Sequence, residues 1–306
     1  MVLVSPIIAT VSINGLSTNG TETFVLEKVG GKYQISVWVG GEEKVTSEQF
    51  LSILSVDGID SNDTFMFDST AALESAINFD TGTNAFTSTL TGAGNPTEFS
   101  NFKIYDLSQL GNNLAIGFTT STASTFSLVG GLNNQLSLNG TEFHGFNNVT
   151  STSGLLNTIT GSDEADSFSG ISGNSLTANG IAFNDVEIVN AGLGDDDIEH
   201  DLPNWIIQAA NAASIENISF TGIDSINKNN SVGITNRSLT GTAGDDTFVS
   251  AGTNAVSANG ITYYGIGTVD ALGGGVLGDQ LETNNGVGES FLLRADNEIV
   301  GNDITF

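Results

Sequence analysis

Leu176-Thr177-Ala178-Asn179-Gly180-Ile181-Ala182-Phe183 and Val256-Ser257-Ala258-Asn259-Gly260-Ile261-Thr262-Tyr263 are two copies of one pattern, an apolar alternation broken by Asn-Gly. Alternation with period two marks a strand with one buried face, and Asn-Gly suits the two left-handed residues of a tight hairpin. Each copy is led by a second aromatic fifteen residues upstream, in Asp166-Ser167-Phe168 and Asp246-Thr247-Phe248. The same interval separates Trp205 from Phe220 and Phe291 from Phe306, where Asn302-Asp303-Ile304-Thr305-Phe306 closes the copy. Asn139-Gly140-Thr141-Glu142-Phe143 keeps the turn after a longer approach from Phe126.

Beyond the second aromatic, apolar residues recur at three-residue steps: Phe143, Phe146, Val149; Phe183, Val186, Val189; Phe220, Ile223, Ile226; Tyr263, Ile266, Val269. Phe99, Phe102 and Tyr105 extend the series upstream, so the marker aromatics fall 37 to 44 residues apart. A unit of this size cannot bury its own apolar stripe, whereas stacked units form a continuous core. The pattern predicts an all-β chain, a β-solenoid resembling a parallel β-helix with repeats of about 40 residues. The Asn-Gly hairpins leave an antiparallel sandwich or prism as the alternative.

Residues 126–306 read as the repeat region and residues 1–125 as a capping or divergent β region. Here Thr23–Val29 and Tyr33–Val39 flank Gly30-Gly31 as a hairpin. Thr46-Ser47-Glu48-Gln49-Phe50-Leu51 offers an N-cap and an acidic first turn, predicting a short helix through Leu54, and Ser69 to Ile77 predicts a second.

The 35 acidic against 7 basic residues give a formal charge of -28, which opposes binding to nucleic acid or an anionic membrane surface. The absence of cysteine removes disulfides, thiolate metal sites and cysteine nucleophiles, and two histidines leave little material for imidazole chemistry. No apolar run reaches membrane-spanning length, and the start lacks the positive n-region of a signal peptide. Met1 to Ile13 carries no charged side chain and is rich in β-branched residues, so it suits pairing with an open sheet edge, completing the open end of a neighbouring subunit.

Acidic turns punctuate the repeats. Ala191-Gly192-Leu193-Gly194-Asp195-Asp196-Asp197-Ile198-Glu199 follows the pattern Gly-Gly-x-Gly-x-Asp-x-apolar-x apart from Ala191. Gly241-Thr242-Ala243-Gly244-Asp245-Asp246-Thr247-Phe248 keeps much of it, and Gly161-Ser162-Asp163-Glu164-Ala165-Asp166-Ser167-Phe168 keeps less. These stretches resemble the calcium-binding nonapeptides of RTX-type secreted proteins. That resemblance implies calcium held by Asp195, Asp196, Asp197 and Glu199, by Asp245 and Asp246, and by Asp163 and Asp166. The motifs are single copies, whereas that family stacks them consecutively, which leaves a solvated acidic turn as the other reading. More broadly, residues 126–306 are similar to repeats of large bacterial surface proteins of the adhesin and surface-layer type.

The resemblance implies a noncatalytic structural or adhesive protein at the cell surface or outside the cell, self-associating as a filament or surface-layer subunit, with a surface glycan as a further partner. The alternatives are a carbohydrate-active enzyme or a lectin-like module on a β-helix. Both need polar or aromatic side chains converging on one groove, yet the repeat region holds only Lys228, Arg237 and Arg294 as basic residues. His200, flanked by Glu199 and Asp201, and His144 read as solvated rather than catalytic.

Overall fold

The computed structural model describes residues 8–11, 21–47, 52–57, 63–71, 73, 77–80, 85–89, 96–110, 114–119, 122–130, 134–228, 237–271, 279–283, 291–295, 298–301 and 304–305. The chain is all-β over these residues, with one helical turn, the 3-10 segment Ser108–Leu110. Among them no helix is long and apolar enough to cross a membrane. The chain divides into two compact units, one comprising residues 1–158 and 179–186, the other residues 159–178 and 187–306.

In the first unit one sheet runs in the order Ile8–Val11, Ser52–Asp57, Pro96–Ser100, Ala85–Thr89, Ile77–Asp80, Leu114–Thr119, Phe146–Thr150, Ile181–Asn184. A second runs Thr125–Leu128, Gln135–Leu138, Thr141–His144, Ile104–Asp106, Thr64–Phe67, Glu22–Val29, Lys32–Val39, Glu42–Thr46. In the second unit the longest sheet runs Ser175–Ala178, Ser167–Ser172, Asp197–Ile198, Ser225–Ile226, Ile261–Tyr264, Ala255–Ala258, Thr247–Gly252, Gln280–Thr283. A separate sheet there runs Asn204–Ile206, Arg237–Thr240, Ile266–Asp270, Ile304–Thr305, Glu298–Gly301, Phe291–Ala295.

Both pairing modes suggested by the sequence are present, and they divide the work. The residues around Asn-Gly form antiparallel meanders, as in Thr247–Gly252, Ala255–Ala258, Ile261–Tyr264. Asn139-Gly140, Asn179-Gly180 and Asn259-Gly260 all have positive φ at both positions, the conformation of the tight hairpin turn that matches strand twist. The outer strands of a meander pair in parallel with other passes of the chain: Ile261–Tyr264 with the earlier Ser225–Ile226, Thr247–Gly252 with the later Gln280–Thr283. The same arrangement lies ahead of residue 126, where Pro96–Ser100 pairs with Ser52–Asp57 and Ile77–Asp80 with Leu114–Thr119.

Register explains the three-residue apolar step. The aromatic that opens each copy lies opposite the third apolar residue of the copy before it: Phe143 opposite Tyr105, Phe183 opposite Val149, Phe220 opposite Val189 and Tyr263 opposite Ile226. Each copy thus starts in the sheet where its predecessor ended. Between the first and second apolar residues the chain turns a corner, and the residue two after each aromatic has positive φ: Asn101, Gly145, Asp185, Gly222 and Gly265. At Gly145 a Cβ would also stand 2.5 Å from the Ser108 nitrogen, so this corner requires glycine on both counts. All fifteen apolar residues of these five copies are buried; Phe306, which would open a sixth, lies outside the described residues.

The sheets of each unit face one another across these side chains. Phe79 meets Phe143 edge-on at 4.8 Å between ring centroids, and Phe65 lies 4.6 Å from Phe99. In the second unit Phe168 packs on Phe220 at 6.0 Å.

The two expected helices are strands and turns where they are described. Ser47 exchanges hydrogen bonds with Ile35, its amide donating to the Ile35 carbonyl and its hydroxyl accepting the Ile35 N–H at 2.9 Å. The side chain that looked like an N-cap is therefore used by the sheet, and the chain continues into the strand Ser52–Asp57. Residues 48–51 lie outside the described set. At the second site Asp68 accepts the Thr70 N–H in a turn, and these hydrogen bonds hold its carboxyl below the usual range. Ile77 then opens a strand.

Candidate functional site

The acidic turns of the second unit hold most of the residues that the sequence marked for chemistry. Two of these turns close on their own aspartate. Asp166 accepts the Ser162 N–H at 2.6 Å and the Ser162 hydroxyl at 3.2 Å, and Asp246 accepts the Thr242 N–H at 2.6 Å and its hydroxyl at 3.0 Å. Ser162 and Thr242 are thus equivalent, one residue after Gly161 and Gly241.

The same aspartates also join one pass of the chain to the next. The Asp166 amide donates to Asp196 Oδ1 at 2.8 Å, and the Asp196 amide donates to Asp224 Oδ2 at 3.0 Å. Farther along, the Asp246 amide donates to Asp279 Oδ1 at 3.0 Å. In every case the acceptor residue immediately precedes a strand, and the donor is its counterpart one pass earlier. The first unit repeats the device with Glu22 donating to Asp63 and Ser124 to Asn157. His200 and Asn227 make the equivalent bond at the far end of their strands. Each such bond satisfies a backbone N–H at the end of a strand.

Glycine in these motifs answers to the stacking of turns. A Cβ on Gly161 would lie 1.7 Å from the Ala191 carbonyl oxygen, and one on Gly192 would lie 2.5 Å from the Ser162 oxygen. Gly192 and Gly194 also have φ of 99° and 126°. Successive turns therefore approach backbone to backbone, which no side chain at 161 would permit.

The eight candidate ligands do not share one environment. Asp166, Asp196, Asp197 and Asp246 are buried, while Asp163, Asp195, Asp245 and Glu199 are exposed. Asp195 pairs with Lys228. Asp197 Oδ1 accepts the Ser225 hydroxyl at 2.8 Å and the Lys228 N–H at 3.1 Å. Among the described residues no group of three or more His, Asp or Glu side chains is arranged to hold a metal ion. Asp63 serves as a joint, its Oδ1 accepting the Glu22 N–H at 3.0 Å.

Asp196 stands apart electrostatically. It is 0% exposed, and its Oδ2 has no hydrogen-bond partner. Burial, followed by the repulsion of Asp166, Asp224 and Asp195, pushes its carboxyl up to about 7 against the pull of the Asp166 N–H. Burial likewise raises Asp197, whose Oδ2 is also unpartnered. Neither histidine completes a catalytic set: His144 lies 3.4 Å from Glu142 Oε2, and His200 Nε2 lies 3.3 Å from the Ile171 carbonyl.

Compared with family models, with curated proteins and with solved structures, the chain finds no match. The geometry alone therefore assigns the residues. Asp224, Asp279, Asn157 and Asn227 carry joints that motif reading passed over. Their common signal is an Asp or Asn beside a short strand, repeated 27 to 33 residues from its counterpart donor.

Proposed function

We propose that this chain is a noncatalytic structural protein of the cell exterior, a β-solenoid whose coils are the successive passes described above and whose role is assembly or attachment. The observation that carries this reading is the commitment of the Asp and Asn side chains to joints between passes: groups that could have formed a reactive or ligand-binding cluster are spent in holding backbone N–H groups. The repeat aromatics support it as well, because their burial makes them core rather than platforms for a sugar ring.

The edges of the sheets support self-association as part of this reading. Ile8–Val11 pairs in parallel with Ser52–Asp57 of the same chain as an edge strand, and such a strand can be exchanged between copies. Sedimentation velocity and electron microscopy of the full chain at rising concentration should show assemblies, and deletion of residues 1–13 should leave folded monomers. A full chain that stays monomeric, or assemblies unchanged by the deletion, would contradict the proposal.

Calcium is a second reading with one observation in its favour, the unpartnered buried oxygens of Asp196 and Asp197. A divalent cation there would relieve the same repulsion that raises the Asp196 carboxyl. Millimolar calcium should then raise the thermal midpoint of the parent and leave Asp196→Asn unmoved, through binding to the folded state alone. An equal response of both proteins would remove the acidic turn from consideration as the site.

A further inference from the structure

One corner of the second unit holds buried hydrogen-bond donors that neither the joints nor the core accounts for. It lies where the chain leaves the strands Asp197–Ile198 and Ser225–Ile226 and enters Asn204–Ile206 and Arg237–Thr240. Trp205, Asn227 and Arg237 are 4%, 5% and 4% exposed. Trp205 Nε1, Asn227 Nδ2 and Arg237 Nη1 are each buried without an acceptor.

These residues are neighbours. The register sets Trp205 opposite Leu239, two residues from Arg237 on the same strand, and the Ser238 amide donates to the Pro203 carbonyl at 2.9 Å. The His200 ring packs edge-on against Trp205 at 6.5 Å, and the His200 amide donates to Asn227 Oδ1 at 2.9 Å. That bond fixes the Asn227 amide with its NH2 as the unused end. His200 Nε2 faces the Ile171 carbonyl at 3.3 Å. Arg237 alternates with Leu239 on the buried face of its strand, and its Nη2 reaches Asp201 Oδ1 at 2.8 Å. Asp201 is 76% exposed, so water screens the counter-charge while the guanidinium stays buried.

We propose that this corner binds a small monovalent anion of the halide type, held by Arg237 Nη1, Trp205 Nε1 and Asn227 Nδ2. A buried donor without an acceptor costs the desolvation of that group, and here three residues that carry such donors, one of them cationic, are linked by strand register and by contacts to His200. A water molecule can accept from two of them but brings two hydrogens that need acceptors of their own. An anion accepts from all three and needs no acceptor of its own.

The test is the thermal midpoint of the whole chain across a sodium bromide series, with sodium gluconate holding the ionic strength constant. A saturable rise is expected. Trp205→Phe, which keeps the ring and loses the N–H, should move the half-saturating concentration upward roughly tenfold, and Arg237→Met should abolish the response. Should Arg237→Met fail to fold, Trp205→Phe decides alone. A crystal grown in bromide should carry an anomalous peak within hydrogen-bonding distance of the three nitrogens. A response that does not saturate, one that Trp205→Phe leaves unchanged, or an ordered water in place of the peak would overturn the proposal.

Discussion

Phe143→Ala is expected to destabilise the chain by about 3–5 kcal/mol, the range for removing a large aromatic from a packed core. Phe143 is fully buried and lies at a meeting of rings: Phe79 at 4.8 Å, Phe118 at 5.3 Å, Tyr105 stacked at 5.7 Å and Phe146 at 6.2 Å. Those neighbours come from four different strands, so none can close over the cavity without moving a sheet. Leu156→Ala serves as the comparison, because Leu156 is 67% exposed and its loss should fall within about 0.5 kcal/mol of the parent. Denaturant unfolding of both variants measures the difference. A near-neutral Phe143→Ala would mean that the aromatics marking the copies do not form the core, and the repeat alignment would fall with it.

Asp196→Asn is expected to stabilise the chain at pH 8. The carboxyl of Asp196 is raised from the ordinary carboxylate range to about 7 in the folded state. Its contribution to stability is therefore fully present below about pH 4, where it is protonated in both states, and is lost as the pH rises through about 7. The parent should accordingly be more stable at pH 5 than at pH 8, with this site supplying on the order of 2–4 kcal/mol of the difference. Asparagine keeps an oxygen for the Asp166 N–H and carries no charge, so this part of the pH dependence should vanish in Asp196→Asn. Asp196→Ala also removes the charge but leaves the Asp166 N–H without its acceptor, and should be less stable than the asparagine variant at every pH. The net charge of -28 favours mild acid in all three proteins alike, so the comparison between variants isolates the site.

Much of the fold is legible in the residues themselves. Alternation around Asn179-Gly180 and Asn259-Gly260 specifies hairpins because both turn positions need positive φ, which Asn and Gly adopt at low cost. The step from Phe143 to Phe146 to Val149 specifies a chain that keeps turning inward. That these two signals belong to one architecture was not legible. Taken locally they specify parallel and antiparallel pairing as alternatives, whereas the meander is antiparallel inside and pairs in parallel at its outer strands. The corner residues Asn101, Asp185 and Gly222 carried the missing information, since a left-handed residue two positions after each aromatic is where the chain changes sheet.

The aspartates were harder for a physical reason. Asp166 and Asp246 lie in turns that satisfy a calcium motif because both a metal site and a stacked turn need glycine for close approach and a carboxylate for positive partners. In the turn the carboxylate holds the N–H and the hydroxyl of Ser162 or Thr242, while the aspartate's own N–H goes to a carboxylate some 30 residues away. No local pattern can show that contact. Ser47 misled for a related reason: a hydroxyl before an acidic residue caps a helix or bonds a neighbouring strand equally well, and the packed edge of Ile35 decides between them.

The central claim is that aspartates of the acidic turns are joints between successive passes, and the amide exchange rate of Asp166 tests it most directly. Its N–H is donated to Asp196 Oδ1 at 2.8 Å. Hydrogen exchange followed by NMR should find this amide protected in the parent and in Asp196→Asn, and exchanging at least tenfold faster in Asp196→Ala, with the Glu199 amide, which donates to the Phe168 carbonyl, as an internal reference for the backbone ladder. Equal protection of Asp166 in all three proteins would contradict the account.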